Sequence, residues 1–232
     1  ATIRAVCASS KPRDEADSYM PVFQTGCGYG RGIAAALRVP FFETTHQQGH
    51  IAAGCIGLPP LDERFLALHL SGGTTELLLC ENGRLRLVGG SLDLHAGQMV
   101  DRVGVRLGLR FPAGPELEKL AMACADPTEA LLPASLEKDA CYCHLSGAET
   151  RAAQLWEKQV CTPERIAAET FDLLARTVSR MLAAGCKRYQ VRQALVVGGV
   201  ASSKLLRELL RQRLAKTGGT VFAADHIEIE LD

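Results

Sequence analysis

The chain lacks any excess of one charge and has few aromatic residues. Lys plus Arg equal Asp plus Glu at 26 each, and aromatic residues make up 5% of the 232 residues. Without a net field there is no overall attraction to nucleic acid or to a membrane surface, so any RNA contact is expected to be local or supplied by a partner. The sequence also has no apolar run of about 18 residues and no charged leader before an apolar core, so we expect neither membrane spanning nor secretion.

Paired cysteines are missing as well. The nine cysteines are an odd number without a C-x-x-C pair, a pattern typical of reduced thiols in a cytoplasmic protein rather than of a disulfide framework. The segment Cys141-Tyr142-Cys143-His144 offers metal-ligand side chains, although a single C-x-C-H is more often accidental. Two common nucleotide signatures are absent too, because no glycine loop ends in Gly-Lys-Ser/Thr and G-x-G-x-x-G does not occur.

The most informative feature present is the segment Thr45-His46-Gln47-Gln48-Gly49-His50. Two histidines four residues apart project from the same face of a helix and can hold one metal ion. In the metalloprotease pattern with this spacing a Glu follows the first His as general base, whereas Gln47 has no useful basicity, so peptide hydrolysis is disfavoured. The alternative is that His46 begins the helix and His50 is an ordinary interior histidine.

The pattern along the chain predicts an α/β fold in two parts, with a boundary at the Pro-containing stretch after the histidine helix. Residues 3–8 are expected to form a buried strand, and residues 9–32 a long loop before a short helix over 32–37. The second part begins with a meander of three strands over 65–70, 76–80 and 84–88.

A largely helical middle follows, and its last helix is predicted to begin after the cap Thr162 and to end at Ala184, before Gly185. The segments 193–197, 202–214 and 220–223 then predict a strand, a helix and a strand, which is a βαβ unit.

Two glycine turns lie at predicted strand ends, where a ligand can approach the backbone. The turn Ser71-Gly72-Gly73-Thr74-Thr75 offers unobstructed N–H groups and hydroxyls that suit an anion. The turn that begins Gly198-Gly199 precedes a helix whose N-terminus favours negative charge, and its glycines let a ligand approach the main chain closely, which suits a nucleoside. Asp101, near the start of a helix, could accept ribose hydroxyls, but it could equally form a surface pair with Arg102 or Lys119.

Taken in order, the motifs H-x-x-G-H, S-G-G-T, D-x-x-x-x-x-x-G-L-x-x-P-x-G-P and G-G-V-A resemble the tRNA threonylcarbamoyladenosine synthase family, formerly described as O-sialoglycoprotein endopeptidases. The resemblance covers roughly residues 1–223 and is greatest to a divergent bacterial branch. It implies an actin/Hsp70-like ATPase (ribonuclease H-like) fold of two lobes. Residues 1–62 would be a remnant of the first lobe, and residues 63–232 the second lobe with a helical insertion at about 94–160.

The resemblance further implies transfer of a threonylcarbamoyl group from its adenylate to N6 of adenosine 37 in tRNA. His46 and His50 would bind one divalent metal ion, iron or zinc. Adenine nucleotide or threonylcarbamoyl-adenylate would be the second ligand, and tRNA, a homologous ATPase-like protein and helper proteins would be the partners. The implied substrate- and nucleotide-binding residues are Leu70, Ser71, Gly72, Gly73, Thr74, Asp101, Gly114, Gly198, Gly199 and Ser203; no catalytic residue is identified.

Several departures from the family pattern keep other functions open. Gln98 replaces a Glu, Glu149 replaces a Lys, and Ser203 replaces a binding Asn. The opening strand of the family and a late D-N-A sequence have no counterpart, and Asp225 is not assigned the role of the D-N-A aspartate. We therefore expect a chain that is incomplete at both ends. A nucleotide-binding ATPase-like paralogue without catalysis is the alternative, and a metalloprotease is a disfavoured third.

Overall fold

The computed structural model describes residues 2–125, 130–215, 219–222 and 226–229. Its strands are β1 Val6–Lys11, β2 Phe41–Thr45, β3 Arg64–Leu70, β4 Thr75–Glu81, β5 Arg84–Ser91, β6 Ser135–Leu136, β7 Tyr142–His144, β8 Gln193–Val197, β9 Gly219–Phe222 and β10 His226–Ile229. Its helices are α1 Pro21–Leu37, α2 His46–Gly54, α3 Ala96–Arg106, α4 Gly114–Met122, α5 Ser146–Glu157, α6 Pro163–Tyr189 and α7 Lys204–Ala215, with a short 3-10 turn at Val200–Ser202.

The first part of the chain differs from the prediction. The opening strand lies at 6–11 rather than 3–8, is largely exposed or half-buried, and pairs in parallel with β2. Residues 21–32 of the expected loop, together with the short helix expected over 32–37, form the 17-residue helix α1. Four glycines made this segment look irregular, but Gly30 lets the helix lie close to the strands, since a Cβ there would meet the Phe41 ring at 2.8 Å.

The histidine helix α2 begins where the sequence predicts. Thr45 caps it: its side-chain oxygen accepts a hydrogen bond from the Gln48 N–H at 3.1 Å, and the Gln48 side chain accepts one from the Thr45 N–H at 2.8 Å. This reciprocal capping box satisfies N–H groups that a helix start otherwise leaves without partners. The helix therefore presents His46 and His50 from a well-defined first turn.

Eight strands form the main sheet in the order β6-β7-β5-β4-β3-β8-β10-β9. The antiparallel meander β3–β5 is confirmed, and β8 pairs in parallel with β3. The predicted βαβ unit is wrong in one respect, because β10 lies between β8 and β9 and is antiparallel to both. Residue 223 of the predicted last strand, like Asp225, lies outside the described residues.

Both faces of the central strands are covered. On one face, Leu66, Leu68 and Leu77 pack in the main core with α6. On the other, Ile51 of α2 packs against a smaller apolar cluster that includes Leu195. Successive side chains of β3 point to opposite faces of the sheet, so Leu66 and Leu68 pack towards α6 while Ala67 packs towards the histidine helix.

Helix α6 runs five residues past its predicted end. Gly185 does not stop the helix; a Cβ there would meet Leu66 Cδ1 at 2.8 Å and Leu77 Cδ2 at 2.9 Å. The glycine therefore serves close packing of α6 on the sheet. A small hairpin, β6–β7, interrupts the helical middle and was not predicted.

All nine cysteines are free, which confirms the expectation that they form no disulfide framework. Within the part of the chain that the structure describes, no helix has the length and apolarity needed to cross a membrane.

Candidate functional site

The two glycine turns, helix α3 and the Pro/Gly turn before α4 line one cavity of about 300 Å³. This volume is at the lower end of the range of about 300 to 1,000 Å³ found for small-molecule sites. Its lining residues are far apart in the sequence: Gly72, Gly97, Val100, Asp101, Pro112, Gly114, Pro115, Glu118, Phe171, Gly199, Val200, Ser202 and Ser203. The fold therefore brings three of the four sequence motifs to one place.

The turn after β3 is held against the start of α3. The Ser71 N–H donates to the Thr74 carbonyl at 2.8 Å, and the Gly97 N–H donates to the Ser71 carbonyl at 3.1 Å. A Cβ on Gly97 would meet the backbone of Gly72 and Ser71 at 2.6 Å, whereas a Cβ on Gly72 would meet nothing within 4 Å. Gly97 thus permits close backbone packing, and Gly72 leaves open space at the cavity wall.

In the turn after β8, too, one glycine is needed for close packing and the other faces open space. Gly198 has a φ of +107°, and a Cβ on it would clash with the Leu70 carbonyl, so this glycine is required by the fold. Gly199 is exposed and has free space around it. Ser203 caps α7, since its hydroxyl accepts a hydrogen bond from the Leu206 N–H at 3.1 Å.

Asp101 shapes the opposite wall. Its carboxylate accepts a hydrogen bond from the Ala113 N–H at 2.8 Å and so fixes the Pro/Gly turn to α3. A second carboxylate, Glu118, accepts from the Leu205 N–H at 2.8 Å and joins α4 to the start of α7. Sequence patterns did not indicate Glu118 or Phe171 as cavity residues, because neither lies in a glycine turn.

Of the ten residues predicted to bind substrate or nucleotide, five line this cavity: Gly72, Asp101, Gly114, Gly199 and Ser203. Leu70, Ser71, Gly73, Thr74 and Gly198 do not line it. Leu70 is fully buried in the core, and Ser71 and Thr74 close the turn with a hydrogen bond between their backbones. The turn thus faces the cavity mainly through one glycine.

The two histidines of α2 face each other. Their Nε2 atoms are 3.1 Å apart and their ring centroids 4.5 Å apart. A tetrahedral zinc with Zn–N bonds of about 2.0 to 2.1 Å places two ligand nitrogens about 3.3 Å apart, so the pair fits two positions around one ion. Among the described residues, no third His, Cys, Asp or Glu is placed with them to complete a group of three around one metal.

A third histidine, His69 of β3, lies beside this pair, with its ring centroid 4.8 Å from that of His50. His69 is buried, and its Nε2 has no hydrogen-bond partner in the described part of the chain. Burial lowers the pKa of His50, with His46 adding to the effect. Burial, followed by the charges of His50, His46 and Arg13, lowers the pKa of His69 to about 4. Neutral imidazoles with available lone pairs are the form that binds metal.

Gln47, which stands where a metalloprotease would have its general base, is buried and has a structural role. Its Nε2 donates to a Glu76 oxygen at 2.7 Å, and Arg13 donates to the other oxygen at 2.6 Å. Glu76 is thus paired with the Arg13 guanidinium and hydrogen-bonded by Gln47, and these contacts compensate for the burial of its carboxylate. Gln47 therefore supplies no base to His46 and His50, which agrees with the expectation that peptide hydrolysis is disfavoured.

The departures from the family pattern also have defined contacts. The Gln98 side chain accepts from the His95 N–H at 3.3 Å at the start of α3. Glu149 is buried and accepts from Arg106 at 3.2 Å. The Arg106–Glu149 contact joins α3 to α5, and Gln98, Arg106 and Glu149 line a wider cleft beside the cavity.

Asp93, which the sequence patterns did not indicate, positions α5. It accepts hydrogen bonds from the N–H groups of Leu94 at 2.5 Å and Leu145 at 2.8 Å, and from the Ser146 N–H and hydroxyl. Burial of the carboxylate would raise its pKa, but these bonds from Ser146, Leu145 and Leu94 lower the pKa of Asp93 to about 2.

The C-x-C-H segment lies in the β6–β7 hairpin region and is not arranged as a metal site. Cys141 and Cys143 are fully buried, and burial raises the pKa of the Cys143 thiol to about 11. His144 instead lies 2.8 Å from Glu137. A protonated thiol is a poor metal ligand, and no group of three potential metal ligands forms among the described residues.

Residues 20–227 match the family of tRNA N6-adenosine threonylcarbamoyltransferases. Relatives of that name include proteins from Thiobacillus denitrificans, 35% identical over 85% of this chain and 58% of the relative, and from Thermus thermophilus, 38% identical over 81% and 57%. One from Syntrophomonas wolfei is 29% identical over 95% of this chain and 65% of its own length. The chain thus spans about three fifths of the curated relatives that it matches.

Solved structures share the architecture at low sequence identity. Full-length HypF in its phosphate- and nucleotide-bound form aligns with a TM-score of 0.70 at 15% identity, over 93% of this chain and 42% of HypF. HypF from T. kodakarensis gives 0.66 at 13% identity, over 83% and 35%. These similarities establish an actin/Hsp70-like ATPase fold.

Proposed function

This chain belongs to the tRNA N6-adenosine threonylcarbamoyltransferase family, whose members are acyltransferases, and we propose on that basis that it transfers a threonylcarbamoyl group from its adenylate to N6 of adenosine 37 in tRNA. The observation that carries this proposal is the cavity that joins the turn at Gly72, the carboxylate of Asp101 and the turn at Gly199. Open glycines suit close approach of phosphate, and a carboxylate suits ribose hydroxyls.

In the proposed complex the adenylate lies along this cavity. Its phosphate is near Gly72 and Gly199, where exposed backbone can donate hydrogen bonds, and its ribose is near Asp101. The N6 amine of the acceptor adenosine attacks the threonylcarbamoyl carbonyl. A C–N bond forms, the C–O bond to the phosphate breaks, AMP leaves, and the amine loses one proton to solvent or a base. The part of the protein is to hold donor and acceptor in contact.

His46 and His50 would hold the metal ion, iron or zinc, through their facing Nε2 atoms. When bound, such an ion supplies positive charge that polarises a carbonyl or binds phosphate oxygens. Two protein ligands leave further positions for substrate or water. His69, three residues before Gly72, lies beside His50, and a Cβ on Gly198 would meet its ring at 3.0 Å.

Helix α1 supports the proposal of a protein partner with the same ATPase-like fold. Val22, Tyr29, Ile33 and Leu37 are all exposed, and their spacing places them along one face of the helix. A contiguous apolar face on a helix is typical of an interface. We propose that the homologous partner docks on this face and that helper proteins act on the resulting pair.

A nucleotide-binding module without catalysis is the second candidate. The contacts of Gln98, Glu149 and Ser203 favour it, because each substituted side chain is hydrogen-bonded within the fold rather than free to contact substrate. Such a protein would bind adenine nucleotide and its partner but would not modify RNA.

The test compares the wild-type chain with Asp101→Asn, which keeps an oxygen for the Ala113 N–H but loses the charge. Both proteins are supplied with threonylcarbamoyl-adenylate carrying labelled threonine, unmodified tRNA and the helper proteins. We expect label in tRNA with the wild-type chain and at least about tenfold less with Asp101→Asn, since hydrogen bonds to a charged group contribute about 1.5 to 3 kcal/mol. Nucleotide binding without any label transfer would favour the second candidate.

A further inference from the structure

A second cleft adjoins the nucleotide cavity and shares two of its residues. It lies between α3 and α5, and Gly72 and Asp101 belong to the walls of both. The remaining lining residues are Gln98, Arg102, Val105, Arg106, Phe111 and Glu149. A ligand in this cleft would therefore lie next to a ligand in the nucleotide cavity, because both would contact Gly72 and Asp101.

An exposed aromatic ring stands at this cleft. Phe111 is 76% exposed although it is a large apolar side chain, and Val105 beside it is 50% exposed. The backbone around Phe111 is not loose, because Asp101 fixes the next turn through the Ala113 N–H. The ring is therefore an exposed stacking surface on a backbone that is anchored two residues away, and it has no aromatic partner in the described part of the chain.

The charged groups of the cleft fit a nucleic-acid ligand. Arg106 is fixed by Glu149 at 3.2 Å and Glu157 at 3.4 Å, whereas Arg102 is exposed. Guanidinium groups and aromatic rings are the side chains on which unpaired bases stack, and arginine also contacts phosphates. A purely apolar partner segment would leave these polar groups poorly matched.

From this arrangement we propose that the cleft binds an unpaired nucleobase of the RNA acceptor, stacked on Phe111, with its reactive edge at the wall shared by Gly72 and Asp101. Arg102 contacts the neighbouring phosphate. This inference rests on the proposed function, because it assigns the acceptor of the same transfer to a place. It makes Phe111 a positioning residue for the acceptor, distinct from the residues that hold the nucleotide.

The experiment measures binding of an anticodon stem-loop RNA by fluorescence anisotropy. It uses one RNA with adenosine at the acceptor position and one with an abasic site there. The proteins are wild type, Phe111→Ala, Phe111→Tyr and a control, Val160→Ala, which removes an exposed apolar side chain after α5. Stacking on an aromatic ring contributes enough that its loss weakens binding by about tenfold or more.

We expect Phe111→Ala to bind the intact RNA about tenfold more weakly, Phe111→Tyr and Val160→Ala to match wild type, and ATP affinity to be unchanged in all. With the abasic RNA, wild type and Phe111→Ala should bind alike, because the stacked base is gone. Equal weakening of both RNAs by Phe111→Ala would overturn the inference, and so would no weakening of either. If the wild-type chain binds neither RNA but binds an apolar protein partner through Phe111, the proposed function itself fails.

Discussion

The glycine at the shared wall allows the nucleotide site to be blocked without disturbing the fold. A Cβ on Gly72 would meet no atom within 4 Å, and its backbone does not have a positive φ, so valine can be accommodated. An exposed substitution of this kind changes the free energy of unfolding by about 0.5 kcal/mol or less. The added isopropyl group would project into a cavity of about 300 Å³ and keep phosphate away from the backbone.

Loss of hydrogen bonds to a charged phosphate costs about 1.5 to 3 kcal/mol, so we expect Gly72→Val to bind ATP roughly 10- to 150-fold more weakly. Isothermal titration calorimetry measures this loss, and urea unfolding checks that stability is kept. Gly97→Ala is the matched contrast. Its methyl group would meet backbone atoms of Ser71 and Gly72 at 2.6 Å, and overpacking of this kind destabilises by about 1 to 3 kcal/mol.

If Gly72→Val remains folded and binds ATP as tightly as wild type, the phosphate does not lie at this turn. A Gly97→Ala protein as stable as wild type would refute the close packing of the turn on α3.

Three further outcomes are expected. The double variant His46→Ala/His50→Ala should lose about one equivalent of bound metal by elemental analysis while its circular dichroism is unchanged; equal metal in both proteins would contradict the site. The pKa of Asp93 is lowered from 3.8 to about 2, so its carboxylate stabilises the fold above pH 4, and this contribution is lost as the pH falls toward 2. Because Asp93 is exposed, solvent screening reduces the contribution to roughly 1 kcal/mol. Asp93→Asn should therefore lower stability in urea at pH 7 by about this amount and flatten the decline between pH 4 and 2; an unchanged decline would count against it. Gly185→Ala should destabilise by about 1 to 3 kcal/mol, because its methyl group meets Leu66 and Leu77; an unaffected midpoint would show that α6 can shift.

Periodicity predicted the elements that are strongly patterned. The meander, the start of α2 and strand β8 lie where apolar runs around a glycine turn, the histidine pair and a further apolar run indicate them. Glycine was harder to interpret, since the same residue type is a packing contact in α1 and α6 and a turn residue at Gly198. Only the neighbouring atoms distinguish these uses, and they come from distant parts of the chain.

The site was predictable where a motif carried it and not where tertiary structure did. The histidine pair follows from its spacing of four residues, and the turns at Gly72 and Gly199 follow from strand ends followed by glycine. His69 and Glu118 lie outside the motifs, and they reach the histidine pair and the nucleotide cavity only through the order of the strands and the hydrogen bond from the start of α7 to Glu118. Phe111 lies within the motif that begins at Asp101, but the pattern specifies the glycines and prolines around it and not its ring.

The most direct test of the nucleotide cavity is photo-labelling of the wild-type chain with 8-azido-ATP, followed by identification of the labelled peptides. We expect label on the segments 97–118 and 199–203, loss of that label with excess ATP, and strong reduction of the label in Gly72→Val. Label confined to other segments, or label at these segments that excess ATP does not displace, would contradict the placement of the adenylate on which the proposed transfer depends.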